Sequence, residues 1–101
     1  MLRLSALIAV AALLTVGARA QAQTPAAAGA QIYLDQCSEC HGPGLRNPGT
    51  SFDLKKLKAG ERARFEKSVL DGKGQMPPWR GTLNEEQLGQ LWAYIREYAY
   101  E

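Results

Sequence analysis

Apolar positions recur along this chain in separate groups, each closed off by residues that cannot continue it. The first is a nearly unbroken run from Leu4 to Val16. Further on, Gly29, Tyr33 and Cys37 follow one another at four-residue steps with Ile32 beside them, which lines up one face of a helix. Gly29 is either a helix-start or linker residue, or the bare spot of a close helix crossing that tolerates no Cβ. Leu54 and Leu57 mark a short helical segment in 53–59 with Asp53 as its cap, and Phe65 and Val69, four apart, mark a helix over 61–71 that Gly72 and Gly74 end. The clearest pattern is the last. Asn84 caps it, Gln87 closes a capping box, Glu85 and Glu86 suit its positive end, and Leu88, Leu91, Trp92 and Ile95 form one stripe widened by Tyr94 and Tyr98. Between the helices, Gly42-Pro43-Gly44 and Asn47-Pro48-Gly49 predict a loop over 42–53, and Pro77-Pro78 hold the chain extended after Met76. No strand alternation surrounds Cys37. The expected fold is all-α, three to four short helices with the first and last packed across each other at Gly29 and Tyr33.

The first apolar run belongs to a different category. Arg3 precedes it, and Ala18-Arg19-Ala20 and Ala20-Gln21-Ala22 offer small-x-small cleavage sites after it, so residues 1–22 read as a secretory signal peptide. The rival reading, a membrane anchor, needs a longer apolar stretch. Residues 23–28 then form a small-residue tail expected to stay mobile, with Pro25 discouraging an earlier helix, and 29–101 form the domain. Removing 1–22 takes Arg3 and Arg19 from the twelve basic residues and leaves ten against ten acidic ones. A neutral chain with no recognised nucleic-acid motif makes nucleic acid a poor partner. The charge is unevenly spread: residues 46–80 carry nine Lys or Arg against four Asp or Glu, and both flanks are acidic. At 79 residues the exported chain is close to the size below which a protein core needs a staple, and it has no second cysteine pair to provide one.

Cys37-Ser38-Glu39-Cys40-His41 supplies that staple. It holds the only two cysteines and the only histidine of the chain, in the spacing of a c-type haem attachment site. Two thiols three positions apart reach the two vinyl groups on one porphyrin edge, and the next residue brings an imidazole under the iron. A thioredoxin-like dithiol needs a βαβ setting, and a closed zinc site needs a fourth ligand for which only a carboxylate is on offer. A ligand imidazole wants its Nδ1 proton accepted, and a backbone carbonyl of the proline-containing loop is the expected acceptor. With no other histidine available, Met76, 35 residues after His41, becomes the expected second axial ligand. Trp79 either packs on the porphyrin edge or its loop, or also donates its indole N–H to a propionate or a backbone carbonyl. Arg80 either neutralises a propionate or faces solvent.

These residues together resemble class I monohaem c-type cytochromes of the small bacterial periplasmic type. Gly29-x-x-x-Tyr33-x-x-x-Cys37, Leu91 with Tyr94 in the last helix, and Met76-Pro77-Pro78 all match that family's pattern. The resemblance implies a cytochrome c fold wrapped around one haem c attached through Cys37 and Cys40. It also implies a periplasmic carrier passing single electrons between redox proteins, a quinoprotein dehydrogenase among the candidate donors, and no catalytic residues. Two departures from the pattern are a short segment after His41 and displaced prolines at Pro43 and Pro48. Lys55, Lys56, Lys58, Arg62, Lys67, Lys73 and Arg80 either ring part of the electron-exchange edge and steer an acidic partner, or form a solvated charged face with no docking role; the protein is expected to be a monomer or to form transient complexes. The alternatives are a peroxidase-like or gas-binding haem protein in which Met76 leaves the iron, and a relay subunit of a dehydrogenase or reductase.

Overall fold

The computed structural model describes Val10, Ala12 and residues 23–100; the expected signal peptide otherwise lies outside the described residues. Among the described residues four α-helices follow in order, α1 (Pro25–Gln36), α2 (Ser38–His41), α3 (Arg62–Asp71) and α4 (Glu85–Tyr98), with 3-10 turns at Pro43–Leu45, Leu54–Lys56 and Ala59–Glu61.

Helix α1 begins four residues before Gly29, within the segment expected to be a tail. Thr24 caps it by accepting from Ala27 N at 3.2 Å, and Pro25 occupies the first helical turn. The correction has a simple cause. Proline lacks an N–H and has a fixed φ, which bars it from a helix interior and suits it to a helix start. Cys37 closes α1 and leads straight into α2.

Helices α1 and α4 form the frame, crossing at Gly29. A Cβ on Gly29 would overlap the Gln90 carbonyl oxygen outright and come within 2.9 Å of Tyr94 Cβ, so the close-crossing alternative is the one realised. Next to this contact the Tyr33 and Tyr94 rings pack at 5.2 Å between centroids. Tyr33, Leu91 and Ile95 are each 1% exposed, and burial of this kind contributes about 1.5–3 kcal/mol per large side chain. The capping box of α4 forms as expected, with Asn84 Oδ1 accepting from Gln87 N at 2.8 Å and Gln87 Oε1 from Asn84 N at 2.9 Å. Asp53 caps the turn at Leu54–Lys56.

Helix α3 stands apart from this frame and meets α4 through Phe65 against Trp92, ring centroids 5.2 Å apart. At Gly72, φ is +76° and a Cβ would lie 2.6 Å from the Met76 carbonyl oxygen, so the chain can fold back here only with glycine. Leu45 is a core member that the hydrophobic pattern did not single out; φ of +62° on a residue this buried is tolerated because its side chain fills the core.

Candidate haem-binding site

Between the frame and α3 lies a cavity of about 840 Å³, inside the roughly 300–1,000 Å³ usual for cofactor clefts. Cys37, Cys40 and His41 line it from the end of α1 and from α2, Met76, Pro77 and Trp79 from the loop after α3, and Phe65, Val69, Leu91 and Ile95 form its apolar base. All five residues singled out in the sequence, Cys37, Cys40, His41, Met76 and Trp79, therefore meet at one cavity. Apolar walls around two adjacent thiols and an imidazole suit a flat apolar macrocycle.

The imidazole is set up to be a ligand. His41 Nδ1 lies 3.2 Å from the Phe52 carbonyl oxygen and 3.4 Å from Ser51 Oγ, so Nδ1 carries the proton and the Nε2 lone pair is left for a metal. Burial holds the His41 pKa below its ordinary value, with the Phe52 carbonyl opposing, which favours the neutral ring. The acceptor thus sits at the end of the 42–53 loop, four residues beyond the nearer proline, Pro48. Ser51 Oγ donates in turn to the Cys40 carbonyl at 2.9 Å and fastens the loop to the attachment motif. Burial, helped by the neighbouring Cys40, pushes the Cys37 thiol up to about 12. Among the described residues no group of three or more His, Cys, Asp or Glu is arranged to hold a metal ion.

Met76 is held by its own loop. Lys73 N donates to Met76 O at 3.1 Å and Met76 N to Lys73 O at 3.0 Å, while Trp79 N and Arg80 N donate back to the Val69 and Leu70 carbonyls of α3 at 2.8 and 3.1 Å. The Trp79 Nε1–H donates to Gln36 Oε1 at 3.2 Å, a side-chain partner that the sequence did not indicate. Arg80 pairs with Asp71 at 2.6 Å, away from the cavity wall, and holds the Asp71 carboxyl below the usual range mainly through that hydrogen bond.

The expected cationic ring is thinner than its sequence suggests. Of its seven members only Lys73 lines the cavity; Arg62 pairs with Glu66, Arg80 with Asp71, and Lys55 lies over the Tyr100 ring. Lys56 and Lys58 line a separate surface cleft with Arg96 and Tyr100. Arg64 is the second cation on the cavity wall, also paired with Glu61 and stacked over Phe52. Its signal was present in the helix period, since 64 and 68 border the apolar pair 65 and 69 on α3. Gln36 was legible in the same way, at the end of α1 four residues after Ile32, whereas Ser51 and Phe52 had no such signal, because they reach the site from a loop without periodicity.

Known proteins resemble this chain. The profile of the family described as cytochrome c oxidase, cbb3-type, subunit III matches residues 24–95. Cytochrome c6 of Leptolyngbya boryana is 32% identical over 79 residues, covering 73% of this chain and 93% of that protein. Quinohaemoprotein alcohol dehydrogenase ADH IIB of Pseudomonas putida is 34% identical over 77 residues, which cover 73% of this chain and 11% of the dehydrogenase. The solved structure of quinohaemoprotein alcohol dehydrogenase ADHIIG from Pseudomonas putida HK5 superposes with a TM-score of 0.66 at 28% identity, over 74% of this chain and 11% of that one. The chain thus spans about a tenth of the dehydrogenases and nearly all of the cytochrome. With the family profile covering most of the chain and the attachment residues gathered at one cavity, this protein belongs to the cytochrome c oxidase, cbb3-type, subunit III family, as a small all-α monohaem c-type cytochrome related to cytochrome c6.

Proposed function

We propose that this protein is an exported electron carrier whose haem is held through thioethers to Cys37 and Cys40 and ligated axially by His41 and Met76. Bound in the cavity, the haem supplies a reversible one-electron Fe(III)/Fe(II) couple. His41 presents Nε2 while the Phe52 carbonyl holds its Nδ1 proton, and the Met76 thioether, soft and neutral, favours the reduced state. Leu91, Ile95 and Phe65 exclude water from the cavity base. Arg64 and Lys73 are the two cations placed to balance the carboxylates of a haem edge. The observation that carries this reading is the placement of Met76, on a clamped loop, at the cavity that His41 lines.

With His41 and Met76 both holding the iron, the haem would exchange electrons with no position left for substrate, which separates this reading from the peroxidase-like alternative. The deciding experiment is the far-red methionine-to-iron absorption of the oxidised protein, present in the wild type and lost in Met76→Ala. Absence of that band from the wild type would reject His/Met ligation. The same residues favour the periplasm, with 1–22 as the export signal.

A second reading draws support from the match to ADH IIB, in which a segment like this chain is a tenth of a dehydrogenase. In it the protein relays electrons from a quinoprotein dehydrogenase, either as a bound subunit or as a free shuttle meeting an acidic surface through Lys73. Stoichiometric co-purification of a dehydrogenase favours the subunit form; a monomer that any dehydrogenase reduces by collision favours the shuttle.

A further inference from the structure

The two walls of the cavity belong to different parts of the fold. The wall with Cys37, Cys40 and His41 continues from α1, and α1 is locked to α4 by the Gly29 crossing. The wall with Met76 is α3 and its loop, a unit braced internally by the Lys73–Met76 pair and by Trp79 N and Arg80 N on α3 carbonyls. Phe65 against Trp92 joins that unit to the frame through α4. Among the described residues, a single side-chain to side-chain hydrogen bond joins the Met76 loop to α1, from Trp79 Nε1 to Gln36 Oε1 at 3.2 Å. Gln36 immediately precedes Cys37, Trp79 follows Met76 by three residues, and both line the cavity.

We infer that the Gln36–Trp79 hydrogen bond is a latch that keeps the methionine loop closed on the attachment wall and keeps small ligands off the iron. Gln36 is thus a positioning residue that acts through Trp79 and Met76. The indole offers one donor and no acceptor, so loss of the Gln36 oxygen leaves Trp79 without a substitute in the protein. Pro77 and Pro78, with φ fixed, transmit a displacement of Trp79 to Met76 instead of absorbing it. Because the bond is solvent-accessible, its loss shifts the closed-to-open balance modestly. The inference rests on the reading of Met76 as an iron ligand.

The test uses the holoproteins and imidazole, which competes for the methionine position of the ferric iron. Gln36→Leu and Trp79→Phe each remove the hydrogen bond while keeping most of the volume, and each raises imidazole affinity by about 3- to 10-fold, the range of one neutral hydrogen bond. The double variant shows no more than either single change. Gln36→Glu keeps an acceptor and stays near wild type, as does Asp71→Asn, which removes the Arg80 ion pair on the same loop but not the bond between walls. Hydrogen exchange of the Trp79 indole N–H is faster in Gln36→Leu. Wild-type imidazole affinity in both single variants, or effects that add in the double variant, with the methionine absorption intact, would overturn the latch alone. A wild-type protein lacking that absorption overturns the ligand assignment and the latch together.

Discussion

Replacing Gly29 with alanine sets two effects of opposite sign against each other. Gly29 lies inside α1, where alanine is intrinsically better by about 0.8–1 kcal/mol. Against this, the new Cβ would sit 2.5 Å from the Gln90 carbonyl carbon and 2.9 Å from Tyr94 Cβ, where carbon atoms normally rest about 3.5–4.0 Å apart. Relief requires α1 and α4 to separate by roughly 1 Å, because two of the obstructing atoms are backbone. That movement strains the Tyr33–Tyr94 ring contact and the Tyr33 hydroxyl's bond to the Gly42 carbonyl, just after His41. Overpacking of this kind costs about 1–3 kcal/mol and more against backbone, so the net expectation is a loss of about 2 kcal/mol. For a domain of this size that lowers the melting temperature by roughly 8–16 °C. The assay is thermal unfolding of the haem-loaded proteins followed by far-ultraviolet circular dichroism. Gly89→Ala is the matched control: it lies in α4, where a Cβ meets only the far end of the Arg62 side chain at 3.3 Å, and gains about 0.5–1 kcal/mol. A Gly29→Ala protein as stable as wild type, or more so, would refute the crossing as the determinant of the frame.

The remaining expectations concern the site and the core. Exchanging both Cys37 and Cys40 for alanine removes covalent haem, so mass spectrometry of the acid-denatured protein should find bare polypeptide; a retained haem adduct refutes the attachment. Met76→Ala lowers the reduction potential by on the order of 0.1–0.2 V, a fraction of the roughly 0.8 V that axial ligands command, and potentiometric titration checks it. Burial pushes the Tyr33 phenol up from 10.0 to about 12, so the folded state keeps a proton that the unfolded state releases, and this contribution to stability is complete below pH 10 and lost as pH rises toward 12. Denaturant melts across that window should show a decline of up to about 1.4 kcal/mol per pH unit from this group, and Tyr33→Phe should flatten it while costing about 1 kcal/mol at pH 7; an unchanged slope would reject the assignment. Lys73→Ala should weaken the ionic-strength dependence of reduction by an anionic small-molecule reductant, whereas Lys58→Ala, away from the cavity, should not.

The sequence by itself determined whatever depends on near neighbours in the chain. Helical periodicity located α3 and α4, the capping box marked where α4 begins, and the Cys37-to-His41 spacing named the cofactor, because each is an interaction across three or four residues of one segment. The start of α1 was misjudged because proline carries opposite meanings at a helix start and in its interior. The tertiary structure alone decided which groups meet across long stretches of chain. It chose the Phe52 carbonyl for His41, gave Trp79 to Gln36 across 43 residues, and withdrew all but one of the expected cations from the cavity wall. Hydrogen bonds and charge pairs of this kind depend on where separate elements come to rest when the apolar faces pack, and no local pattern records that outcome.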